Sequence, residues 1–586
     1  MSPTTTETGL RDTVLALADQ MAGGAGVHQA ITLERPPRAD FGDYSTNAAL
    51  LLAPVAGAAP RELAGQLGEA LAVRLGDQLQ RFEVAGPGFL NLFLADGWHR
   101  AALAEVLAAG DSFGGGGALV RERIIVEFVS ANPTGPMHVG HARNAAYGDA
   151  LARVLAFHGH QLEREFYVND AGSQVRKLGE SIKALARGEE VPEDGYRGEY
   201  VVPLVAEVER EIVASDHAPE GSAQANEPEE IGGVTRAAEL DPDELGAAAV
   251  RVMVGRMQSS LGAFRVQSFD RWAYESALHQ PREDLRAADD GPASPVDHAL
   301  ALLQERGHAY RSEGALWLRT TGYGDDKDRV LVRSSGEHTY FASDIAYHQD
   351  KRERGFDRQI DVWGADHHGY VARMKAAYEA LGGDPHHLEM LIMQLVHLVR
   401  RGERAQMSKR AGEFVTLEDL LREIGVDAAR WFLLSRSHDT TIDLDLDLAR
   451  EQSSENPVYY VQYAHARAAS MLAKAGVERV QRALQSMGAR EGESGEPLHP
   501  AERTLIKKLL AFPGEVREAA VRRAPHRIAA YALELAQQFT AFYRDCRVLG
   551  AESPTLESQR LALCVASLQT IAGSLDLLGV EAPAEM

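Results

Sequence analysis

Cysteine is nearly missing from this 586-residue chain: Cys546 and Cys564 are its only two. Both lie in helix-like C-terminal sequence, so a cysteine-rich zinc site is excluded and the count fits a reducing cytosol. No run of 18 apolar residues occurs, so no membrane span is expected. The opening MSPTTTETGLRDTV has no basic stretch followed by an apolar one, and nothing in it suggests secretion. Positive charge is in deficit too, with 61 Lys and Arg against 85 Asp and Glu. A net charge of −24 argues at first sight against a nucleic-acid partner.

The distribution of that charge weakens the argument. Residues 191–244 hold 15 acidic and 3 basic side chains, half of the whole excess, and include the loop-like stretch SDHAPEGSAQANEPEEIGG. Such a stretch reads as a solvated, partly flexible insertion. Elsewhere there are basic clusters, among them Arg400, Arg401, Arg404, Lys409 and Arg410. RNA binding is allowed by charge without being required by it.

The length suggests three or four domains, and a composition of 45% hydrophobic and 25% charged residues is that of an ordinary globular protein. Residues 1–112 read as a small α/β unit, with helices over 10–21 and 61–79 and a strand over 82–93. The glycine run 114–117 has no Gly-Lys-Ser/Thr after it; it fails as a phosphate loop and reads as a linker. From 118 to 448 strand and helix patterns alternate, as for a parallel sheet with helices on both faces. Strand candidates are 123–129, 163–168, 330–332 and 360–363, and the longest insertion falls at about 190–265. Residues 455–586 read as all-helical, with four or five amphipathic helices. In the helix expected over 555–578, Leu561, Cys564, Leu568, Ile571, Leu575 and Leu578 share one face.

The most informative segment follows the strand at 123–129. It runs Ser130-Ala131-Asn132-Pro133-Thr134-Gly135-Pro136-Met137-His138-Val139-Gly140-His141 and opens a helix through Leu155, with Gly159 as its stop. A strand, a Pro/Gly turn and two histidines three apart in a first helical turn make an anion site. Free backbone N–H groups and the positive end of the helix dipole converge there, and Gly140 lets a ligand approach closely. A triphosphate is the obvious guest.

Three further constellations carry chemistry. The loop Arg400-Arg401-Gly402-Glu403-Arg404-Ala405-Gln406-Met407-Ser408-Lys409-Arg410-Ala411-Gly412 is basic and bounded by glycines, so it can fold over a polyphosphate and place a lysine on it. Acids form the second. Glu127 sits inside an apolar strand, where a charge is costly unless paired; Glu275 lies in WAYES and Asp344 in YFASD. Each taken alone is as readily a core ion pair or a helix cap. Together with Tyr340 they would suit a guanidinium, which carboxylates match bidentately and aromatic faces stack on. The third is Gly364-Ala365-Asp366-His367-His368-Gly369 after a short strand. Adjacent histidines with no third partner nearby make a weak metal site; a strand-exit loop at a ligand crevice is the better reading.

These motifs resemble those of class I aminoacyl-tRNA synthetases, and ANPTGPMHVGHARN is similar to the arginyl-tRNA synthetase form of their HIGH signature. MSKRAG resembles the KMSKS signature, departing from it at Gln406 and Arg410 and keeping Lys409. Asp427-Ala428-Ala429-Arg430 resembles the DALR signature of a helical anticodon-binding domain, and ENPVYYVQYAHAR (residues 455–467) is similar to arginyl synthetases. Residues 40–52 and VAGPGFLNLFL resemble the extra N-terminal domain of the bacterial type. The likeness covers essentially the whole chain.

The resemblance implies an α/β fold: a Rossmann-like parallel-sheet catalytic domain over 118–448, a small α/β tRNA-binding domain over 1–112 and an all-α helical bundle over 455–586. It implies an arginine–tRNA ligase that forms arginyl-adenylate and pyrophosphate from arginine and ATP, then passes arginine to its tRNA. Catalysis falls to His138, His141 and Lys409. ATP falls to these three with Pro133, Gly135, Gly140, Gly364, Asp366, His367, Met407 and Ser408. Arginine falls to Glu127, Asn132, Glu275, Tyr340, Asp344 and His368, and tRNA to Tyr459, Tyr463 and Arg467, at least one tyrosine of the 459, 460 and 463 set being core. Mg²⁺ accompanies ATP; no protein-held metal and no zinc is expected. The expected partners are the tRNA for arginine, L-arginine and ATP, with no membrane, for a cytoplasmic monomer.

Three rivals are weaker. A cytidylyltransferase-like enzyme of the same superfamily is shorter and lacks the helical third. A non-catalytic tRNA- or amino-acid-binding relative would have lost the motif histidines or the lysine. Cysteinyl, isoleucyl and methionyl synthetases are disfavoured by the acidic pocket and the missing zinc-binding cysteines.

Overall fold

A computed structural model describes residues 6–23, 30–36, 38–216, 236–286, 292–404, 415–488 and 496–586. In the N-terminal unit, helices Thr6–Met21, Ala48–Ala56, Pro60–Leu75 and Asp96–Ala109 accompany a four-stranded antiparallel sheet. Leu52, Leu67, Leu92 and Trp98 are buried in its core. The single strand expected over 82–93 is a hairpin, Leu79–Ala85 against Phe89–Leu94. Gly86 and Gly88 turn the chain between them at φ 48° and 146°, a conformation closed to most side chains. The glycine run that follows is docked: a Cβ on Gly114 would come within 2.6 Å of the Phe512 ring.

Among the described residues the central sheet has five strands: β1 (Arg123–Glu127), β2 (Gln161–Val168), β3 (Arg271–Tyr274), β4 (Arg358–Gly364) and β5 (Leu388–Met393). All neighbours are parallel, in the order β5-β4-β1-β2-β3. The order reverses between β1 and β4, and ligands of open α/β sheets sit at the carboxyl ends of such a pair. Helix α1 (Val139–His158) follows β1 and ends on Gly159 in the left-handed conformation. Five buried alanines, Ala142, Ala145, Ala146, Ala150 and Ala152, alternate with Leu151, Val154 and Leu155, which lets it pack closely on the sheet.

Residues 330–332 do not join this sheet. They belong to Arg329–Val332 in a separate antiparallel sheet with Ala309–Ser312 and Ala315–Leu318. Ser173–Ala186, Val201–Asp216 and Pro242–Ala263 form a helical layer with its own core of Leu178, Ile182, Leu204, Val208 and Leu245. Helix α2 (Tyr340–Glu353) then leads into β4, and α3 (Leu417–Leu433) follows the second basic loop.

The C-terminal part has six helices among the described residues, from Pro457–Ala475 to Pro554–Leu578. That last helix is long and apolar enough to cross a membrane, but most of its apolar stretch is buried in the protein. The bundle touches both other units. Phe512 packs against Phe157 of α1 and Phe113, and Arg503 pairs with Asp96 of the N-terminal unit.

Candidate active site

The exit of β1 is bent sharply by two residues in the left-handed region, Val129 at φ 69° and Ser130 at φ 38°. A β-branched residue holds that conformation at a cost of about 1–3 kcal/mol, so its surroundings must impose it. Asn144 of α1 accepts the Val129 N–H at 2.7 Å and donates to the Val362 carbonyl of β4 at 2.8 Å. Ser130 Oγ donates to Glu127 at 2.8 Å and accepts from the Tyr167 N–H at 3.1 Å. The bend is thereby tied to β1, β2 and β4.

His138 is the N-cap of α1. Its Nδ1 accepts the Gly140 N–H at 3.1 Å, while His141 Nδ1 accepts the His138 N–H at 3.3 Å. The rings stack with centroids 3.8 Å apart. Because Nδ1 accepts in both, the hydrogen is assigned to Nε2, and each ring is a neutral donor there. Burial, then the neighbouring His138, pushes the His141 imidazole down to about 3, so it stays neutral at physiological pH. Two neutral donors at the positive end of a 20-residue helix suit an anion of several oxygens.

The second basic segment departs from the hairpin Val396–Arg400 and Glu403–Arg404. Arg400 pairs with Glu423 at 2.6 Å and Arg404 with Asp443 at 2.9 Å. The chain returns at Thr416, which bridges His138 in antiparallel fashion, and the Leu417 N–H donates to the Met137 carbonyl at 2.9 Å. Gln406, Met407, Ser408, Lys409 and Arg410 lie outside the described residues.

At the exit of β4, Gly364 leads into a 3-10 run over Ala365–Tyr370. Asp366, His367 and His368 are exposed, with the His367 ring 5.4 Å from that of Trp363. Pro133 is buried, Gly135 half-buried, and Asn132 is exposed and donates to Gln174 at 3.2 Å.

An acidic cluster adjoins these loops. Asp344 stands one turn after Tyr340 on α2 and accepts the Tyr370 hydroxyl at 2.5 Å. Its carboxyl is raised by burial, against the pull of that hydroxyl. Glu275 is buried in the 3-10 turn after β3; burial and the Asp344 charge raise it to about 7. The Tyr167 hydroxyl is pushed up by burial and by Glu275, Asp344 and Glu127 together. Tyr340 is 58% exposed, its ring available to a ligand. Two buried acids whose ionised forms are disfavoured, beside the tyrosines 167 and 370, are suited to a cation. Glu127 is occupied on both oxygens, by Lys351 at 2.5 Å and by Ser130. Among the described residues no group of three or more His, Cys, Asp or Glu could hold a metal ion.

On the helical bundle Tyr459 and Tyr463 stack with ring centroids 6.2 Å apart, and the Arg467 guanidinium lies 4.6 Å over Tyr463. Tyr463 is exposed, whereas Tyr460 packs on the core. Arg467 also lies 4.8 Å over Tyr543, a ring the sequence does not single out because 80 residues separate it from Tyr463. Tyr370 is likewise missed, although it directly follows the His367-His368-Gly369 loop.

Comparison with known proteins agrees with this layout. The model of the arginyl tRNA synthetase N terminal domain matches residues 8–94. That of the class I (R) tRNA synthetase catalytic domain matches 103–190 and 293–458, and that of the DALR anticodon binding domain matches 461–586. The chain is 42% identical over 583 residues to an arginine–tRNA ligase of Geobacillus thermodenitrificans, covering 97% of each. It is 41% identical over 562 residues to one of Shouchella clausii, covering 95% of this chain and 94% of the relative. The structure of Thermus thermophilus arginyl-tRNA synthetase superposes with a TM-score of 0.71 over 98% of this chain and all of that one, at 24% identity, a likeness of fold.

Proposed function

The chain belongs to the arginyl-tRNA synthetase family and is an arginine–tRNA ligase; from that premise we propose how its residues divide the work. Arginine's carboxylate attacks the α-phosphorus of ATP, pyrophosphate leaves, and a terminal ribose hydroxyl of the tRNA then takes the arginyl group from AMP. Such chemistry asks mainly for positioning and for donors aimed at developing charge. His138 and His141 supply two, the Nε2–H groups at the start of α1, with Pro133, Gly135 and Gly140 leaving room for the phosphates. Lys409, Met407 and Ser408 act on the departing pyrophosphate. Gly364, Asp366 and His367 take the adenosine, and ATP enters as its Mg²⁺ complex.

Asp344 is the principal acceptor for the substrate guanidinium, with Glu275 beside it and Tyr340 as the stacking face. Asn132 meets the α-amino or carboxylate group, and His368 borders the same pocket. Glu127 contributes negative field, its oxygens being engaged by Lys351 and Ser130. Tyr459, Tyr463 and Arg467, joined by Tyr543, form a stacking platform for unpaired tRNA bases. The domains run over 1–112, 118–448 and 455–586, and the protein works as a cytoplasmic monomer.

The observation that carries the reading is the meeting, at the carboxyl ends of the parallel strands, of a histidine-capped helix start and an acid pair. Pyrophosphate exchange measured with each of the twenty amino acids, with and without tRNA, tests it. Arginine alone should support exchange. Equal exchange with lysine would overturn the pocket assignment, because an ammonium cannot use a receptor built for a planar fork.

A further inference from the structure

Three carboxylates lie in a row across the middle of the sheet. Glu127 of β1 is in register with Asp361 of β4 on one side and Glu165 of β2 on the other. Partners in register on parallel strands point to the same face. All three are buried, Asp361 and Glu165 completely. Where a sheet and its covering helix would ordinarily meet through aliphatic side chains, α2 instead lays a polar stripe over this row.

Every acid of the row is met. Lys351 Nζ, fully buried, reaches Glu127 at 2.5 Å and Asp361 at 2.8 Å. His348 Nε2 bonds the other Asp361 oxygen at 2.8 Å, and the opposite nitrogen of the ring lies 2.7 Å from the Asp344 carbonyl. Glu165 accepts from the Tyr347 hydroxyl at 2.6 Å and from Arg354 at 2.7 Å. A continuous chain therefore runs from Glu127 through Lys351, Asp361 and His348 to the backbone of Asp344, the pocket acid.

Resting on the function proposed above, we infer that Lys351 is a positioning residue for the arginine pocket: it locks α2 onto the acid row and so fixes where the Asp344 carboxylate stands. The lock is directional. A lysine buried between two carboxylates has one place to be, whereas an aliphatic contact would let the helix slide. Its cation also satisfies Glu127 without help from the substrate, so a bound guanidinium is drawn to Asp344 and Glu275. The ATP-side histidines are on α1, and the arm of the chain that reaches Asp344, from Lys351 through Asp361 and His348, makes no hydrogen bond to them; only its Glu127 end touches the bend before α1, through Ser130.

Pyrophosphate exchange by the full-length enzyme, with tRNA present, separates the possibilities. Lys351→Met should raise the arginine KM roughly tenfold to a hundredfold, the scale of an ångström-sized misplacement, and leave the ATP KM unchanged. Lys351→Arg should restore most of the loss. If Lys351→Met does not fold by circular dichroism, the charge-balanced Lys351→Met/Asp361→Asn variant is read in its place, with the same expectation. A folded variant with the wild-type arginine KM, or one that loses arginine and ATP affinity in equal measure, would overturn the inference. Absence of arginine-dependent exchange in the wild type would instead sink the functional reading, so the two failures are distinguishable.

Discussion

Arg430 of α3 donates to Asp149 of α1 at 2.5 Å, and both side chains are completely buried. The same guanidinium donates to the Leu578 carbonyl at 2.7 Å and the Phe264 carbonyl at 3.1 Å. One residue thus joins the helix that begins at the histidine pair, the last helix of the bundle and the end of the inserted helical layer. Asp149 in turn accepts from Arg153 and from the Gln267 N–H, both at 2.9 Å.

Removing Arg430 should therefore unsettle the whole junction. Arg430→Met leaves Asp149 buried with a smaller share of its partners, a change that costs about 3–5 kcal/mol when a buried pair is broken. Denaturant unfolding should show that loss. A midpoint within error of the wild type would mean that Arg153 and Gln267 satisfy Asp149 without it.

His141→Ala removes one Nε2 donor from the start of α1. Arginine-dependent pyrophosphate exchange should fall about 10²–10³-fold, the range for one charge-stabilising donor, with ATP binding weakened less. Near-normal exchange would show that the phosphates sit elsewhere. Because the His141 ring is held neutral down to about 3, its own titration should leave no step in the rate between pH 5 and 8.

Glu275 should give a pH signature. Its carboxyl is raised from the ordinary glutamate range to about 7 by burial and by Asp344, so the empty pocket is partly protonated at neutrality. A cationic substrate favours the ionised form, and arginine affinity should climb as pH rises through about 7. For folding the sign is opposite: the raised carboxyl contributes stability that is fully present below the ordinary glutamate pKa and is lost as pH rises through 7. Glu275→Gln should flatten both dependences. A wild-type arginine KM that is flat from pH 6 to 8 would contradict this assignment.

The tyrosine platform can be tested apart from the chemistry. Tyr463→Ala should weaken tRNA binding by about 1–3 kcal/mol, the worth of one base stacked on an aromatic ring, and leave the arginine and ATP KM values alone. Tyr543→Ala should act in the same direction by loosening Arg467. Direct tRNA binding by filter retention at fixed salt measures both, and unchanged affinity in the two variants would place the RNA on another face.

What the sequence discloses depends on how local the cause is. The histidine segment, the helix it opens and the glycine that ends it are readable because cap, turn and stop lie within some thirty consecutive residues. The hairpin at Leu79–Leu94 is hidden by its brevity: three turn residues inside an apolar run look like one strand. Lys351 is not readable at all. In HQDKRERG it resembles a solvated charge run, and only pairing with strands 224 and 10 residues away makes it the core of a network. Glu127 shows the limit from the other side: a charge in an apolar strand announces that a partner exists without naming it.

The acid row bears on how the protein responds to heat. Hydration of charged groups becomes less favourable as temperature rises, so the penalty for keeping such groups dry shrinks, while the gain from aliphatic burial levels off. The sheet under α2 is cemented by charge, and the N-terminal unit by leucine, alanine and tryptophan. Warming should therefore shift the balance of strength toward the middle of the chain, with hydrogen exchange accelerating first in the N-terminal unit and last along Asp361, Glu127 and Glu165.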